Sequence, residues 1–112
     1  MQVAQGVETF EGVVIVTNTG GRRFQGLSAI APDVYLAQGG RTVAAPLPRD
    51  AVGTLLDLEP GASRELVACG RASGLAPGRY EVRAVLRVFG QGERSPEGGP
   101  WPLEILPRED LR

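Results

Sequence analysis

The fold of this chain is decided by the stretch Leu75–Phe89, LAPGRYEVRAVLRVF, in which a Pro-Gly turn leads directly into a long alternating run. One face of that run is apolar and carries Tyr80, Val82, Ala84, Leu86 and Val88. The other face carries the charged residues Arg79, Glu81, Arg83 and Arg87, together with Val85. Because the side chains of a strand alternate between its two faces, this pattern predicts a half-buried β-strand.

The turn before this strand indicates the class of β protein. Pro77 restricts φ and Gly78 supplies a permissive backbone, so the strand has a defined start. A tyrosine that follows such a turn directly, as Tyr80 does, is typical of immunoglobulin-like sandwiches, where its hydroxyl bonds back to the preceding turn. We therefore expect the Tyr80 hydroxyl to bond to the backbone of residues 74–77.

Composition and turn spacing extend this prediction to the whole chain. The 112 residues include 16 Gly and nine Pro, which lie between short apolar runs. These runs recur at intervals of about 8–12 residues, as they do in a sandwich. The sequence predicts one all-β domain over residues 1–112, an immunoglobulin-like antiparallel β-sandwich of seven or eight strands, with residues 107–112 as a frayed tail.

The strands are expected to differ in how they are buried. The run Gly12–Asn18, GVVIVTN, is apolar on both faces, which suits a central strand or a strand covered by a loop. Asn18 opens a turn with two glycines, in which positive φ is expected. The longest loop is expected at residues 90–100. The inter-sheet core is expected to contain Val14, Val16, Leu58, Val67, Val82, Ala84, Leu86, Leu103 and Ile105.

The ionisable residues exclude several classes of chemistry. All 12 basic residues are Arg, and the chain has no Lys and no His. It therefore lacks an imidazole base, a histidine metal ligand and a Schiff-base lysine. The one cysteine, Cys69, can form neither an intrachain disulfide nor a zinc site by itself. With no nucleophile–base pair in the sequence, we expect no enzyme activity, no cofactor and no metal.

Charge and hydropathy restrict the partner and the compartment. The formal net charge is −1 and the Arg residues are spread along the chain, which argues against a nucleic-acid partner. No segment reaches the ~18 apolar residues that a membrane span needs. Met1 is followed by neither a basic region nor an apolar run, as a signal peptide would require. The protein is expected to be cytoplasmic if Met1 is native, and otherwise exported with its signal removed.

An ordered set of residues along the chain resembles a known family. The set consists of Val14-x-Val16-x-Asn18, Phe24, Ser28, Asp33-Val34-Tyr35-Leu36, Leu58-x-Pro60-Gly61 and Pro77-Gly78-x-Tyr80-x-Val82. Over residues 12–106 this pattern resembles the BsuPI family, named for an intracellular proteinase inhibitor of bacilli. The resemblance implies a small immunoglobulin-like sandwich without catalytic residues, which binds and inhibits a proteinase.

The 90–100 loop holds the candidate inhibitory contact. Glu93, Arg94 and Ser95 lie in its middle, and Arg94 would enter a trypsin-like pocket with Arg94–Ser95 as the target bond. The alternative interpretation of this loop is a solvated hairpin connection.

Two other pairs of residues are candidate contacts. Arg22 and Arg23 form either a patch for an anionic partner or the charged rim of a hairpin. Tyr35 and Trp101 are either stacking platforms for a sugar or a peptide, or core residues.

The sequence as a whole favours a non-catalytic protein-binding module. A serine proteinase is the partner that the family resemblance implies. The alternative is an accessory immunoglobulin-like domain of the cell envelope or of secreted proteins, which contacts proteins or surfaces and inhibits nothing. In either case, structural roles are expected for Tyr80, Pro77, Gly78 and Asn18.

Overall fold

A computed structural model describes residues 1–48, 53–89 and 95–108, and these residues form ten β-strands. In chain order the strands are β1 (Gln2–Ala4), β2 (Thr9–Thr17), β3 (Phe24–Ala29), β4 (Asp33–Gln38), β5 (Arg41–Ala44), β6 (Gly53–Leu58), β7 (Ser63–Arg71), β8 (Gly78–Val85), β9 (Val88–Phe89) and β10 (Glu97–Leu106). No α-helix occurs in the described ranges, in agreement with the period-two pattern of the sequence.

The strands form an immunoglobulin-like sandwich, which confirms the predicted fold class, with ten strands in the described residues rather than the expected seven or eight. A large sheet has the strand order β1-β10-β8-β4-β5, a two-stranded sheet consists of β2 and β7, and a three-stranded sheet has the order β6-β3-β9. β1 pairs with β10 in parallel, and the other strand pairs are antiparallel. The two-stranded sheet covers the large sheet, with β7 packed against β4.

The three-stranded sheet continues the large sheet beyond a bend. β3 leads into β4 through residues 30–32, and β8 leads into β9 through Leu86 and Arg87. The chain stays paired across this bend, because the Ala29 amide donates a hydrogen bond of 2.8 Å to the Arg87 carbonyl. Pro32 has no amide to donate and is buried at the bend, so the regular ladder is interrupted there.

β8 has the register that its sequence predicts. Tyr80 and Ala84 are buried and Val82 is half-buried, whereas the charged residues between them are exposed. The Tyr80 hydroxyl donates a hydrogen bond of 2.6 Å to the carbonyl of Ala76, which confirms the expected bond to the preceding turn. The run is not one strand, however, because the bend at Leu86 separates β8 from β9.

The core consists of two clusters. The larger lies between the large and the two-stranded sheets and contains Phe10, Val34, Leu36, Ala44, Ala68, Ala72, Tyr80, Leu103 and Ile105. The smaller contains Ala29, Leu56, Leu58 and Leu86. Gly70 permits the first cluster to close, because a Cβ at that position would overlap the Phe10 ring and Val34. Expected core residues that are buried or half-buried are Val14, Val16, Leu58, Val82, Ala84, Leu86, Leu103 and Ile105.

Val67 is the exception, and its assignment to the core is wrong. Its side chain is 60% exposed. β7 has apolar residues on both faces, and the strand turns Leu66 and Ala68 inward, so Val67 lies outside with Glu65. The opposite orientation would bury the Glu65 carboxylate, which is costly for an unpaired charge.

The two ends of the large sheet also differ from the prediction. β1 was not expected, and it adds a strand of three residues beside β10. β10 begins at Glu97 rather than at Trp101, so the connection before it is shorter than the expected 90–100 loop. Glu97 and Gly98 pair with β8, and the register shift between Gly98 and Trp101 accommodates the Gly-Pro sequence that resembles a loop.

Replacement of Tyr80 should separate its hydrogen bond from its packing. We expect Tyr80→Phe to lower the free energy of unfolding by about 1 kcal/mol, the net contribution of one hydrogen bond. Tyr80→Ala should lower it by about 3 kcal/mol or more, because a buried aromatic ring is lost. Urea unfolding followed by Trp101 fluorescence measures both values. Tyr35→Phe, on the outer face of the large sheet, is the matched control, and equal losses for the two Tyr80 variants would contradict the packing role.

Candidate protein-binding surface

The loop expected to contact a proteinase is described only in part. Glu93 and Arg94 lie outside the described residues, so the Arg94–Ser95 target bond stays a prediction. Ser95 is half-buried, and its Oγ accepts a hydrogen bond of 3.1 Å from the Val88 amide. The Ser95 hydroxyl therefore helps to hold the start of β9.

The two arginines between β2 and β3 differ in their surroundings. Arg23 donates from Nε to Oδ1 of Asp57 at 2.8 Å and from Nη2 to Oδ2 at 2.6 Å. Its guanidinium also lies 3.3 Å from a carboxylate oxygen of Glu59. Arg22 is exposed. Because two carboxylates already balance the charge of Arg23, its contacts do not favour a patch for an anionic partner. The expected hairpin is also wrong, because β2 and β3 belong to different sheets and the turn crosses between them.

Asn18 connects three segments of the chain. Its Nδ2 donates to the carbonyls of Arg22 and Leu58 at 2.7 and 2.9 Å, and its Oδ1 accepts from the Gly20 amide at 2.9 Å. Its backbone carbonyl accepts from the Gly61 amide at 2.8 Å. The two glycines of the turn do not take the expected positive φ, because the Asn18 side chain closes the turn instead.

Tyr35 and Trp101 lie on opposite faces of the large sheet. Tyr35 pairs across strands with Arg83, and both line a groove of about 690 Å³ on the outer face. Trp101 lies on the face that the two-stranded sheet covers, at the rim, and is 42% exposed. A Cβ on Gly98 would lie 2.6 Å from the indole, so the ring rests directly on that glycine. The two aromatic residues therefore do not form one stacking platform.

β2 is an edge strand with an exposed outer face, so both interpretations of its sequence, a central strand and a strand covered by a loop, are wrong for the described residues. Within the described residues it pairs with β7 alone, through nine residue pairs without a register shift. Natural edge strands are protected by charges, proline, bulges or short length. β2 has none of these devices apart from one charged residue, Glu11.

The other sheet edges are protected. β5 has four residues and a register shift beside it, and β1 has three residues. On β6, the Leu55 carbonyl accepts a hydrogen bond of 3.1 Å from the Arg64 guanidinium of β7. β7 itself carries Arg64 and Arg71 at its two ends. β2 is thus the longest edge without such protection among the described strands.

The outer face of the two-stranded sheet is apolar at its centre. Val13 and Val67 are directly opposite each other on β2 and β7, and Ile15 follows on β2. Val13 and Ile15 are each 62% exposed. The sequence signal for this surface is the two-sided apolar pattern of β2. That pattern predicts burial of both faces, because local sequence does not show whether a face is covered. We call Val13, Ile15 and Val67 the outer patch.

A cleft lies beneath the free edge of β2. Cavities of about 190 and 210 Å³ occur there, and Trp101 and Val14 line both of them. The first also reaches Met1 and Pro102, and the second reaches Pro96. The free edge of β2 therefore faces the side of the sandwich that β10 and β1 form.

Neither a metal site in the described residues nor a similarity to known proteins indicates a function for this chain. In the described ranges, no three His, Cys, Asp or Glu residues group together in a way that could hold a metal ion. No helix of the described residues is long and apolar enough to cross a membrane. Comparison of the chain with protein-family models, curated proteins and solved structures found no match. The candidate site consists of the β2 edge, the outer patch and the cleft.

The Arg23–Asp57 pair should make stability depend on acid pH. The hydrogen bond from Arg23 holds the pKa of the Asp57 carboxyl below its usual value. A depressed folded-state pKa contributes stability above the ordinary aspartate pKa of about 3.9, and this contribution is lost as the pH falls through the folded-state pKa. We expect the free energy of unfolding of the Asp57→Asn variant to decrease less steeply with falling pH than that of the wild type. Urea unfolding at several acid pH values measures this, and parallel profiles would contradict it.

Proposed function

We propose that this chain is a non-catalytic protein-binding module whose partner covers β2 and the outer patch. The observation that carries the proposal is an unprotected edge strand of nine residues with exposed apolar side chains on its outer face. Neighbouring large apolar side chains that lie open on a surface commonly belong to an interaction site. Covering them is favourable by roughly 25 cal/mol per Å² of apolar area removed from water.

The charges around the outer patch indicate the chemistry of the partner. Glu11 and Glu65 lie on the same outer face, on either side of the Val13–Val67 pair. An apolar centre with a charged rim is the usual arrangement of a protein interface. A partner with an apolar centre and basic residues at its margin would complement both parts.

Two narrower functions follow from the sequence. Proteinase inhibition through Arg94 and Ser95 is the function that the resemblance to the BsuPI family implies. An accessory domain of the cell envelope or of secreted proteins would bind a partner without inhibiting it. Both are forms of a protein-binding module, and they differ in the partner and in the compartment.

Crosslinking from Cys69 tests the proposed surface. Cys69 is the only cysteine, is half-exposed and lies on the outer face of β7 two residues from Val67. A benzophenone maleimide attached there should, on irradiation in an extract of the producing cells, crosslink to one dominant protein. In the double variant Val13→Lys, Val67→Lys the yield should fall at least about tenfold, because two charges would be desolvated in the interface.

The control moves the photoprobe to the opposite side of the molecule. A Cys69→Ser, Glu81→Cys variant carries it on the outer face of the large sheet, where Glu81 is exposed. The double lysine variant should still unfold in one cooperative thermal transition, since both replaced side chains are largely exposed. Its unfolding temperature should be only slightly lower than that of the wild type, because the two lysines would lie directly opposite each other on β2 and β7. The same crosslinked protein from the Glu81 position, or an unchanged yield in the lysine variant, would contradict the proposal.

Proteinase inhibition has a separate test. If the chain inhibits a trypsin-like proteinase, Arg94→Ala should weaken inhibition by more than about 2 kcal/mol, the threshold of an interface hot spot. Arg22→Ala is the matched arginine control and should leave inhibition unchanged. The assay uses purified protein against serine proteinases of the same organism. If micromolar protein inhibits none of these proteinases, the inhibitor function is contradicted, but the proposal of a protein-binding module is not.

A further inference from the structure

We propose that the partner contributes an extended peptide segment, which adds to the free edge of β2 as a third strand and covers Trp101. This inference rests on the proposed function and specifies its mode of binding. Two observations support it: the two layers have unequal widths, and a cleft lies beneath β2. Both are independent of the outer patch.

The two layers of the sandwich differ by three strands. The large sheet has five strands, and the sheet that covers it has two. β7 packs on β4, and Val14 of β2 lines one cavity with Val82 and Ala84 of β8, so β2 lies over β8. β10 and β1 therefore extend beyond β2. The inner face of β10 is buried at Leu103 and Ile105, whereas Trp101 is 42% exposed. The place for a further strand in the covering layer is therefore the space over the Trp101 end of β10, beside β2.

The cleft fits the side chains of such a strand. The cavities of about 190 and 210 Å³ lie along β2 between Gly12 and Thr17, with Trp101 between them. Alternate side chains of a strand point to the same face and are roughly 7 Å apart. A peptide of about six residues paired with this part of β2 would place alternate side chains into the two cavities, on either side of the indole.

The backbone of β2 is suited to pairing. Its ladder with β7 has no register shift over nine residue pairs, so its other edge presents regularly spaced amides and carbonyls. An added strand would satisfy these groups, which is the basis of peptide recognition by strand addition. Gly12 has no side chain, and the space beside it is taken by the Met1 side chain, whose Cε would lie 3.4 Å from a Cβ at Gly12. Met1 therefore lines the cleft at that point and would contact the added strand.

A second copy of this chain does not fit the same edge. Edge-to-edge pairing of two β2 strands would bring their large sheets into one layer. β10 and β1 extend beyond β2 by about 10 Å in each copy, so the two pairs of strands would occupy the same space. A peptide strand carries no second layer and avoids this overlap.

The lining of the cleft defines the chemistry of the peptide. Val14, Val16 and Trp101 favour β-branched or other compact apolar side chains at alternate positions. Glu97 lines the second cavity, and Glu11 lies on the outer face of β2, so acidic residues are disfavoured and basic residues at the peptide ends are favoured.

The probe is a set of synthetic octapeptides of the form RTXTXTXR, in which the three X positions carry Ala, Val, Ile, Leu, Phe, Ser or Asp. Trp101 is the only tryptophan, so its emission reports binding directly. We expect members with Val or Ile at X to bind with a blue shift of Trp101 emission and a Kd below about 100 μM, and Asp members to bind at least about tenfold more weakly. A Kd of about 1 mM corresponds to a binding free energy of roughly −4 kcal/mol. If no member of the set binds at 1 mM peptide, the proposal is overturned.

N-methylation of the best peptide distinguishes strand addition from apolar contact alone. The amides of a paired strand point alternately toward and away from its neighbour. Methylation of one alternate set of amides should abolish binding, and methylation of the other set should be tolerated. Equal effects of both sets would overturn strand addition.

Protein variants separate this inference from the proposed function. Trp101→Ala should weaken peptide binding at least about tenfold, measured with a fluorescein-labelled peptide by anisotropy. Tyr35→Ala, an aromatic control on the opposite face of the large sheet, should leave binding unchanged. If the lysine variants of the outer patch abolish crosslinking from Cys69 while Trp101→Ala and the peptides have no effect, the binding module stands and strand addition fails.

Discussion

The register of β8 is the constraint on which the rest of the structure depends. β8 pairs with β10 on one side and with β4 on the other, over most of its length. The bond from the Tyr80 hydroxyl to the Ala76 carbonyl sets the start of the strand. A shift by one residue would turn Arg83 into the core and Ala84 out of it. Because β10 and β4 are placed by this register, the groove beside Tyr35 and the cleft beside Trp101 depend on it as well.

The unequal layers explain why an apolar strand remains at an edge. β2 is held from its inner face, where Phe10 belongs to the larger core cluster and Val14 packs against it. That burial stabilises the strand without a second neighbour in its sheet. The free edge of β2 and the cleft beneath it are thus two consequences of one feature, a covering layer of two strands on a sheet of five.

The candidate surface lies on a rigid part of the fold. The Asn18 hydrogen bonds connect the end of β2 to the turn that follows it and to the end of β6. The pairing of Arg23 with Asp57 holds β3 and β6 together at the same end. Binding groups on strands are held more closely in place than groups on loops. A binding surface on β2 is therefore held in place by the strand pairing and by these hydrogen bonds.

Alternation and turn residues predict the register of β8, the bond from Tyr80 and the all-β class, and the absence of His and Lys excludes imidazole and Schiff-base chemistry. Contacts between distant segments determine which face of β7 is inside, that Tyr35 and Trp101 lie on opposite faces, and that β2 is an edge. The physical reason is that alternation is a local property of the backbone, whereas coverage of a face and pairing of an edge depend on segments distant in the chain. The run VVIV at 13–16 is the same sequence whether a loop, a strand or a partner covers it.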